Sequence, residues 1–315
     1  MHLSLALRPK LAVPKTSLMN SNGFRFEAMA SACEVRVAGA SPRQLRAAAQ
    51  AAIDEVHRIE FKYSRYRADS IVSRINASAG SDALLEVDGE TAHLLGFAAQ
   101  LFESSDGLFD ITSGVLRKAW DFRAGRVPEA DALNALLGLV GWQNVVWTGH
   151  TLTLPHPGME IDFGGFGKEY AADRAQAVLA DRGLRHGYVN LGGDIRVLGA
   201  QPDGTPWRIG IQHPRDADRL IASLDVSEGA LATSGDYERF FEHGSRRYCH
   251  ILDPRTGWPV DAWRSISVFA PVCVAAGAMS TIAMLKRGAA LEFLREQGAA
   301  FLAIDAQGQR FQDSV

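Results

Sequence analysis

Hydrophobic and polar positions along the chain follow two alternating rhythms. From Phe24 to Ala38, FRFEAMASACEVRVA closes on CEVRV, whose period of two predicts a strand. At Ser41 the period lengthens. Pro42 stands in a first turn, and apolar residues recur through RQLRAAAQAAIDEVHRIEFKYS, a helix. A second helical pattern covers Glu90 to Ser104 and stops before Ser105-Asp106-Gly107, and Val145 to Leu154 reads as a hairpin around a Thr-Gly turn. IDFGGFGKEYAADRAQAVLADRG is a glycine loop running into a helix that closes at Gly183. YVNLGGDIRVLG and PWRIGIQHP then read as two strands joined by QPDGTP. Leu224 to Thr233 and SISVFAPV are further strands, Val274 to Lys286 is a helix packed on the core, and FLAIDAQGQRFQ is a closing hairpin. Helices and strands are intermixed and hairpin signals abound, so the expected class is α+β, with mixed or antiparallel sheets and packed helices. No repeat or linker divides the chain. The expected organisation is a flexible tail over residues 1–23 and one compact domain over 24–315, with room for two lobes.

Composition narrows this picture rather than changing it. The 315 residues are 47% hydrophobic and 22% charged, which suits a globular chain able to bury roughly 75% of its unfolded surface. A net charge of -3 gives no basic excess for general nucleic-acid binding. Cys33, Cys249 and Cys273 are too few and too scattered for a disulfide framework or a CxxC metal site, and predict reduced thiols. The apolar run near the N-terminus is broken by Arg8, Pro9, Lys10 and Pro14, so no signal peptide is expected, and no segment is long enough to span a membrane. A cytoplasmic location is the expectation.

Six stretches carry candidate chemistry. In DFGGFGKEYAAD, Gly164, Gly165 and Gly167 precede Lys168 at a strand-to-helix junction, which suits phosphate on a helix N-terminus as well as a tight turn with a surface lysine. The spacing excludes a P-loop and does not fit GxGxxG. NLGGD, Asn190 to Asp194, allows close approach of a flat ligand or a β-bulge. TSGDYERF fits a loop over phosphate or ribose, or an N-capped helix start. YRADSIVSRIN places Tyr66 before a turn where Asp69 or Ser70 caps a helix, and GLFDITSG puts Asp110 and Thr112 on a short strand, as ligand contacts or as a satisfied buried acid with its hydroxyl neighbour. CHILDPRTGWP sets His250 ahead of Asp-Pro and Thr-Gly turn chemistry, either as an incidental strand histidine or as a reacting group.

Taken in order, YRADSIVSRIN, FDITSG, DFGGFGKEYAAD, NLGGD, PWRIGIQHP, TSGDYERF and HILDPRTGWPV resemble the ApbE family, the FAD:protein FMN transferases, from about Met29 to Gly288. The resemblance implies a flavoprotein transferase that splits FAD at its pyrophosphate with a divalent metal, usually Mg²⁺. It would join FMN by a phosphoester bond to a Thr or Ser hydroxyl of an acceptor protein and release AMP. By motif, His250 would activate the acceptor hydroxyl, a task suited to imidazole. Asp253 and Thr256 would shape its loop. Lys168 and the amides of Gly164 to Gly167 would lie beside the pyrophosphate. Met29, Tyr66, Asp110, Gly192, Gly193, Asp194, Ser234 and Asp236 would line the flavin and adenosine ends.

Two departures stand out. The family reads A-D-A-x-x-T where this chain reads AAGAMSTIAM, so Thr281 matches a metal-ligand threonine while Gly277 replaces the metal-binding Asp, and the backbone carbonyl ligand falls at Gly167. Mg²⁺ usually takes one or two carboxylates besides phosphate oxygens, so this loss is expected to weaken the site. Asp253 and Asp162 are the first alternatives, the pyrophosphate alone is a second, and FAD binding without transfer, or FAD hydrolysis, are the remaining readings. A Gly→Asp change at position 277 is expected to tighten metal binding. Glu169 also stands where the family commonly has Gly, and would repel the pyrophosphate unless it points away or helps hold a metal.

Overall fold

CEVRV is a strand as predicted, and the residues ahead of it form a second strand that pairs with it as a hairpin. In the computed structural model, which describes residues 22–314, β1 (Asn22–Ala28) turns at Met29-Ala30 into β2 (Ser31–Ala38). The expected tail, residues 1–23, lies outside the described residues except for Asn22 and Gly23, which open β1. α1 (Pro42–Tyr63) starts where the pattern predicted, with Ser41 Oγ accepting from Gln44 N, and α2 (Ile71–Ala77) is capped likewise by Ser70. β3 (Leu85–Glu86) precedes α3 (Gly89–Ser104). The expected short strand at Asp110 and Thr112 is instead a 3₁₀-helix, Ile111–Lys118, with Asp110 as its N-cap, because the Asp110 carboxylate accepts from Thr112 N and so bends the backbone away from extension. α4 (Ala130–Leu137) and the hairpin of β4 (Val146–Trp147) and β5 (Thr151–Thr153) follow.

α5 (Gly167–Asp181) leads to β6 (His186–Leu191) and β7 (Asp194–Gly199). YVNLGGDIRVLG is therefore two strands, not one. Gly192 and Gly193, with φ of 64° and 101°, make the two-residue turn that matches strand twist. β8 (Trp207–His213) and β9 (Asp216–Val226) form a separate hairpin. β10 (Gly229–Gly235) carries Thr233 and Ser234 to its end, so TSGDYERF begins as a strand and not as a capped helix. β11 (Phe240–His243), β12 (Arg246–Cys249), β13 (Trp263–Ala270), α6 (Cys273–Lys286), α7 (Ala290–Glu296), β14 (Ala300–Asp305) and β15 (Arg310–Asp313) complete the order.

Eight strands form one antiparallel sheet in the order β1-β2-β6-β7-β10-β13-β14-β15. Alternation assigns each strand two faces. Ile195 and Val197 of β7, Leu231 of β10 and Leu302 and Ile304 of β14 meet Trp207, Ile209, Leu224 and Val226 of the β8–β9 hairpin. The opposite face carries α5 and α6, and there β10 presents Ala232 and Ser234. Ala232 and Ala270 pack on Ala276 of α6, and these small side chains let the helix lie close to the strands. A satellite core of Val115, Leu116, Trp120, Leu133, Phe241 and Tyr248 supports the β11–β12 hairpin. The architecture is the expected α+β unit. Among the described residues, no helix is long and apolar enough to cross a membrane.

Candidate functional site

Two tight turns and one helix start share an end of the sheet. Met29 and Ala30 sit at φ of 52° and 56°, a left-handed backbone that is costly for residues bearing a Cβ, and Met29 N is fixed by donating to Glu60 Oε1 at 2.7 Å. The neighbouring Gly192–Gly193 turn is tied to β2 through Gly192 N and Ala32 O. A Cβ on Gly192 would meet Ser31 at 2.8 Å and come within 3.9 Å of Lys168 Nζ, so the lysine lies against this turn. Lys168 Nζ donates to Asp194 Oδ2 at 2.7 Å. Burial pulls the Lys168 ammonium down, but the Asp194 carboxylate outweighs it and holds the group above its ordinary value. α5 has no side-chain N-cap, so no side chain competes for the donors of its first turn.

α5 and α6 meet along matched stripes. Glu169 and Asp173 are four apart on α5, and Cys273, Gly277 and Thr281 repeat every fourth residue on α6, so each set shares a helix face. Asp173 accepts from Cys273 N at 2.8 Å and Val274 N at 2.9 Å, and pairs with Arg196 at 3.0 Å, which anchors the start of α6 on α5. Further along, Ser234 Oγ of β10 lies 2.8 Å from Ser280 Oγ and 2.9 Å from Thr281 Oγ1, while Ser280 Oγ donates to the Gly277 carbonyl. The helix is thus fixed to the sheet by a chain of hydroxyls. Glu169 is 7% exposed and its Oε2 has no hydrogen-bond partner among the described residues. Burial, with Asp194 close by, pushes this carboxyl above the ordinary range.

His250 follows β12, and its N–H donates to Arg239 O at 3.0 Å. Its Nδ1 is buried without a partner. Burial first, then the positive charges of Arg239 and Lys168, lowers the imidazole to about 4 and keeps it neutral near pH 7. Asp253 and Thr256 hold the turn beyond it: Asp253 accepts from Arg255 N at 2.9 Å and faces Arg287 at 3.6 Å, and Thr256 Oγ1 accepts from Trp258 N.

The structure gathers Met29, Lys168, Gly192, Gly193 and Asp194 at one end of the sheet and Ser234 with Thr281 at the α6 contact. Gly167 is the first residue of α5, two before Glu169. Tyr66 is 79% exposed, with Arg65 against its hydroxyl at 2.8 Å and its guanidinium 4.9 Å over the ring centroid. Other predicted residues are absorbed by the fold. Asp110 accepts from Thr112 N, Thr112 Oγ1 and Trp142 N, which makes it the satisfied buried acid. Asp236 is clamped by Arg215 through two bonds of 2.6 Å. The alternative carboxylates have protein partners as well: Asp162 is paired with Arg65 and accepts from Gly164 N, and Asp253 accepts from Arg255 N in its own turn. Asp173 and Arg215 were missed. Only the fourfold spacing of Glu169 and Asp173 hinted at the first, and nothing local marks Arg215 as the partner of Asp236.

Among the described residues no group of three or more His, Cys, Asp or Glu side chains is arranged around a metal position. A hard cation that draws most of its oxygens from phosphate does not need one. The Thr281 hydroxyl and a buried carboxylate oxygen lacking any donor fit such an ion.

Comparison with known proteins places the chain among its relatives. The ApbE family model matches residues 29–303. A FAD:protein FMN transferase of Treponema pallidum is 35% identical over 272 residues, 79% of this chain and 74% of the relative, and one from Vibrio cholerae is 33% identical over 224 residues, 69% and 67%. The ApbE protein of Thermotoga maritima superposes with a TM-score of 0.86 at 30% identity over 93% of this chain and 97% of the other. The flavin transferase ApbE of Vibrio cholerae gives 0.82 at 25% identity over 94% and 97%.

The chain belongs to the ApbE family.

Proposed function

We propose, from that membership, that the protein transfers FMN from FAD to a Thr or Ser hydroxyl of an acceptor protein and releases AMP. The observation that carries the reading is the convergence of Lys168, the uncapped start of α5, the Gly192–Gly193 turn and a neutral, half-buried His250 on one side of the fold. A helix N-terminus offers N–H groups to a pyrophosphate, and Lys168 supplies positive charge there. The paired glycines allow the ligand to approach backbone: nothing lies within 4 Å of where a Cβ on Gly193 would stand. Tyr66 offers its ring to a flat group. Asp110 and Asp236, in contrast, hold the scaffold.

The acceptor hydroxyl oxygen attacks the phosphorus on the FMN side of the pyrophosphate. The bond from that phosphorus to the bridging oxygen breaks, and AMP leaves with the bridging oxygen. His250 takes the hydroxyl proton, which its lowered pKa permits because the imidazole is unprotonated at neutral pH. Thr281 and the Gly167 carbonyl would hold Mg²⁺. When bound, the ion neutralises charge on the pyrophosphate. The buried free thiols Cys33, Cys249 and Cys273 suit a reducing compartment, which supports a cytoplasmic location.

Incubation with FAD, Mg²⁺ and a threonine-bearing acceptor peptide tests the reading. AMP release with a matching FMN-sized gain in peptide mass is expected. AMP without that gain would mark a hydrolase, and tight FAD binding with neither product a flavin-binding protein.

A further inference from the structure

Gly277 and Glu169 compete for the same space. A Cβ built on Gly277 would lie 2.5 Å from both Cγ and Oε1 of Glu169 and 2.8 Å from its Cδ. No side chain, aspartate included, fits at position 277 while Glu169 keeps its place. The glycine in the middle of α6 is thereby explained: it seats the side chain of Glu169, whose backbone belongs to α5. The two departures from the family pattern are then one exchange, a carboxylate lost from α6 and a carboxylate gained from α5 in the volume it vacated.

The nearby Asp194 and Asp173 are already engaged, and Glu238, also close to Lys168, is exposed. Asp194 is paired with Lys168, and Asp173 with the start of α6 and Arg196. Glu169 alone is more than nine-tenths buried with an oxygen that accepts from nothing. A buried carboxylate oxygen without a donor is retained at a cost, and a cation relieves it. Thr281 stands one helical turn beyond Gly277 on the same face of α6, and its hydroxyl is held by Ser234 at 2.9 Å.

We propose that Glu169 is the carboxylate ligand of the divalent cation, delivered from α5 in place of an α6 aspartate, with Thr281 as the ligand from α6. The proposal rests on the transferase reading for the identity of the substrate that shares the ion. On this reading an aspartate at position 277 would not by itself tighten the site.

Binding of Mn²⁺ in the presence of FAD, followed by electron paramagnetic resonance and calorimetry, tests it on the full-length protein and four variants, with folding checked by circular dichroism. Glu169→Gln keeps the shape and removes the charge, and is expected to weaken Mn²⁺ at least ~10-fold, the scale on which metal-site partners act. Glu169→Gly should lose binding comparably, Gly277→Asp should bring no gain, and the double change Glu169→Gly with Gly277→Asp should recover most of the affinity. A folded Glu169→Gln protein that binds Mn²⁺ as tightly as the parent would overturn the assignment, as would a folded double variant with no recovery. AMP and peptide mass measured on the same samples separate the two levels. Unchanged Mn²⁺ affinity in Glu169→Gln alongside intact FMN transfer by the parent rejects Glu169 alone. Mn²⁺ held through Glu169 without AMP formation supports Glu169 and rejects the transferase reading.

Discussion

At the scale of single residues, His250 carries the sharpest pH signature. An ordinary histidine would be half protonated near pH 6.5, but burial and the charge of Arg239 hold this one near 4. A base must be deprotonated to act, so activity depending on it survives acidification until its own pKa is reached. The acid limb of kcat/KM for FMN transfer should therefore fall near pH 4 rather than between 6 and 7, provided the profile is restricted to pH values where the protein stays folded. Replacing His250 by Ala should leave FAD affinity nearly unchanged and lower transfer by roughly 10²-fold or more. A limb near 6.5, or transfer unaffected by the replacement, would remove His250 from proton abstraction. Its turn was legible in the sequence because Asp-Pro and Thr-Gly are local signals. The exchange between Glu169 and Gly277 was legible only in halves. Each appears as an isolated oddity along the chain, and only the packing of α5 on α6 reveals that one fills the space of the other.

At the scale of elements, the site depends on how α6 is started. Val272, at its N-cap, gives no side-chain bond, and Asp173 of α5 does so from outside the helix by accepting from Cys273 N and Val274 N. Asp173→Ala should cost about 1–2 kcal/mol, the range for removing a helix cap, read as a lower urea midpoint with an unchanged m-value. It should also weaken Mn²⁺ binding, since α6 carries Thr281. Asn at the same position retains a capping oxygen and should recover most of the midpoint. Equal losses for Ala and Asn would assign the effect to the Arg196 pair rather than to the cap. Such a cap between distant segments leaves no local signature, whereas those at Ser41 and Ser70 do, being adjacent to their helices. Strand boundaries failed for a related reason. CEVRV was legible, but the strand before it was not, because the chain turns at Met29-Ala30, neither of them a usual turn former, and YVNLGGDIRVLG turns at a glycine pair that also reads as a bulge. Whether such a segment bends is decided by the strands it pairs with, β2 with β6 and β7 with β10.

At the scale of the whole molecule, Glu90 ties three helices together on the side of α5 away from the sheet. Arg58 and Lys62 of α1 each reach its carboxylate at 2.7 Å, and Tyr170 of α5 donates to it at 2.8 Å. Isolated surface pairs contribute little, because water screens them and two long side chains must be ordered. Here one carboxylate on α3 serves three donors and is only 22% exposed, so the ordering of the side chains is shared. The bond from Arg58, opposed by burial and reinforced by Lys62 and Tyr170, holds the Glu90 carboxyl well below the ordinary range. The folded pKa is depressed, so the folded state binds fewer protons than the unfolded chain once the pH falls toward 4.3. The stabilisation is complete above that value and is lost as the pH drops through it toward the folded pKa. Glu90→Gln should therefore lower the Tm at pH 7 by ~2 °C, the shift expected for a loss near 1 kcal/mol in a chain of this size. The gap between parent and variant should narrow steadily below about pH 4.3, and at pH 7 it should shrink in 1 M salt, where charges are screened within about 3 Å. A gap that stays constant from pH 7 to pH 3.5 would mean that Glu90 gains nothing from its ionised partners, and that α1, α3 and α5 are held by their apolar faces alone.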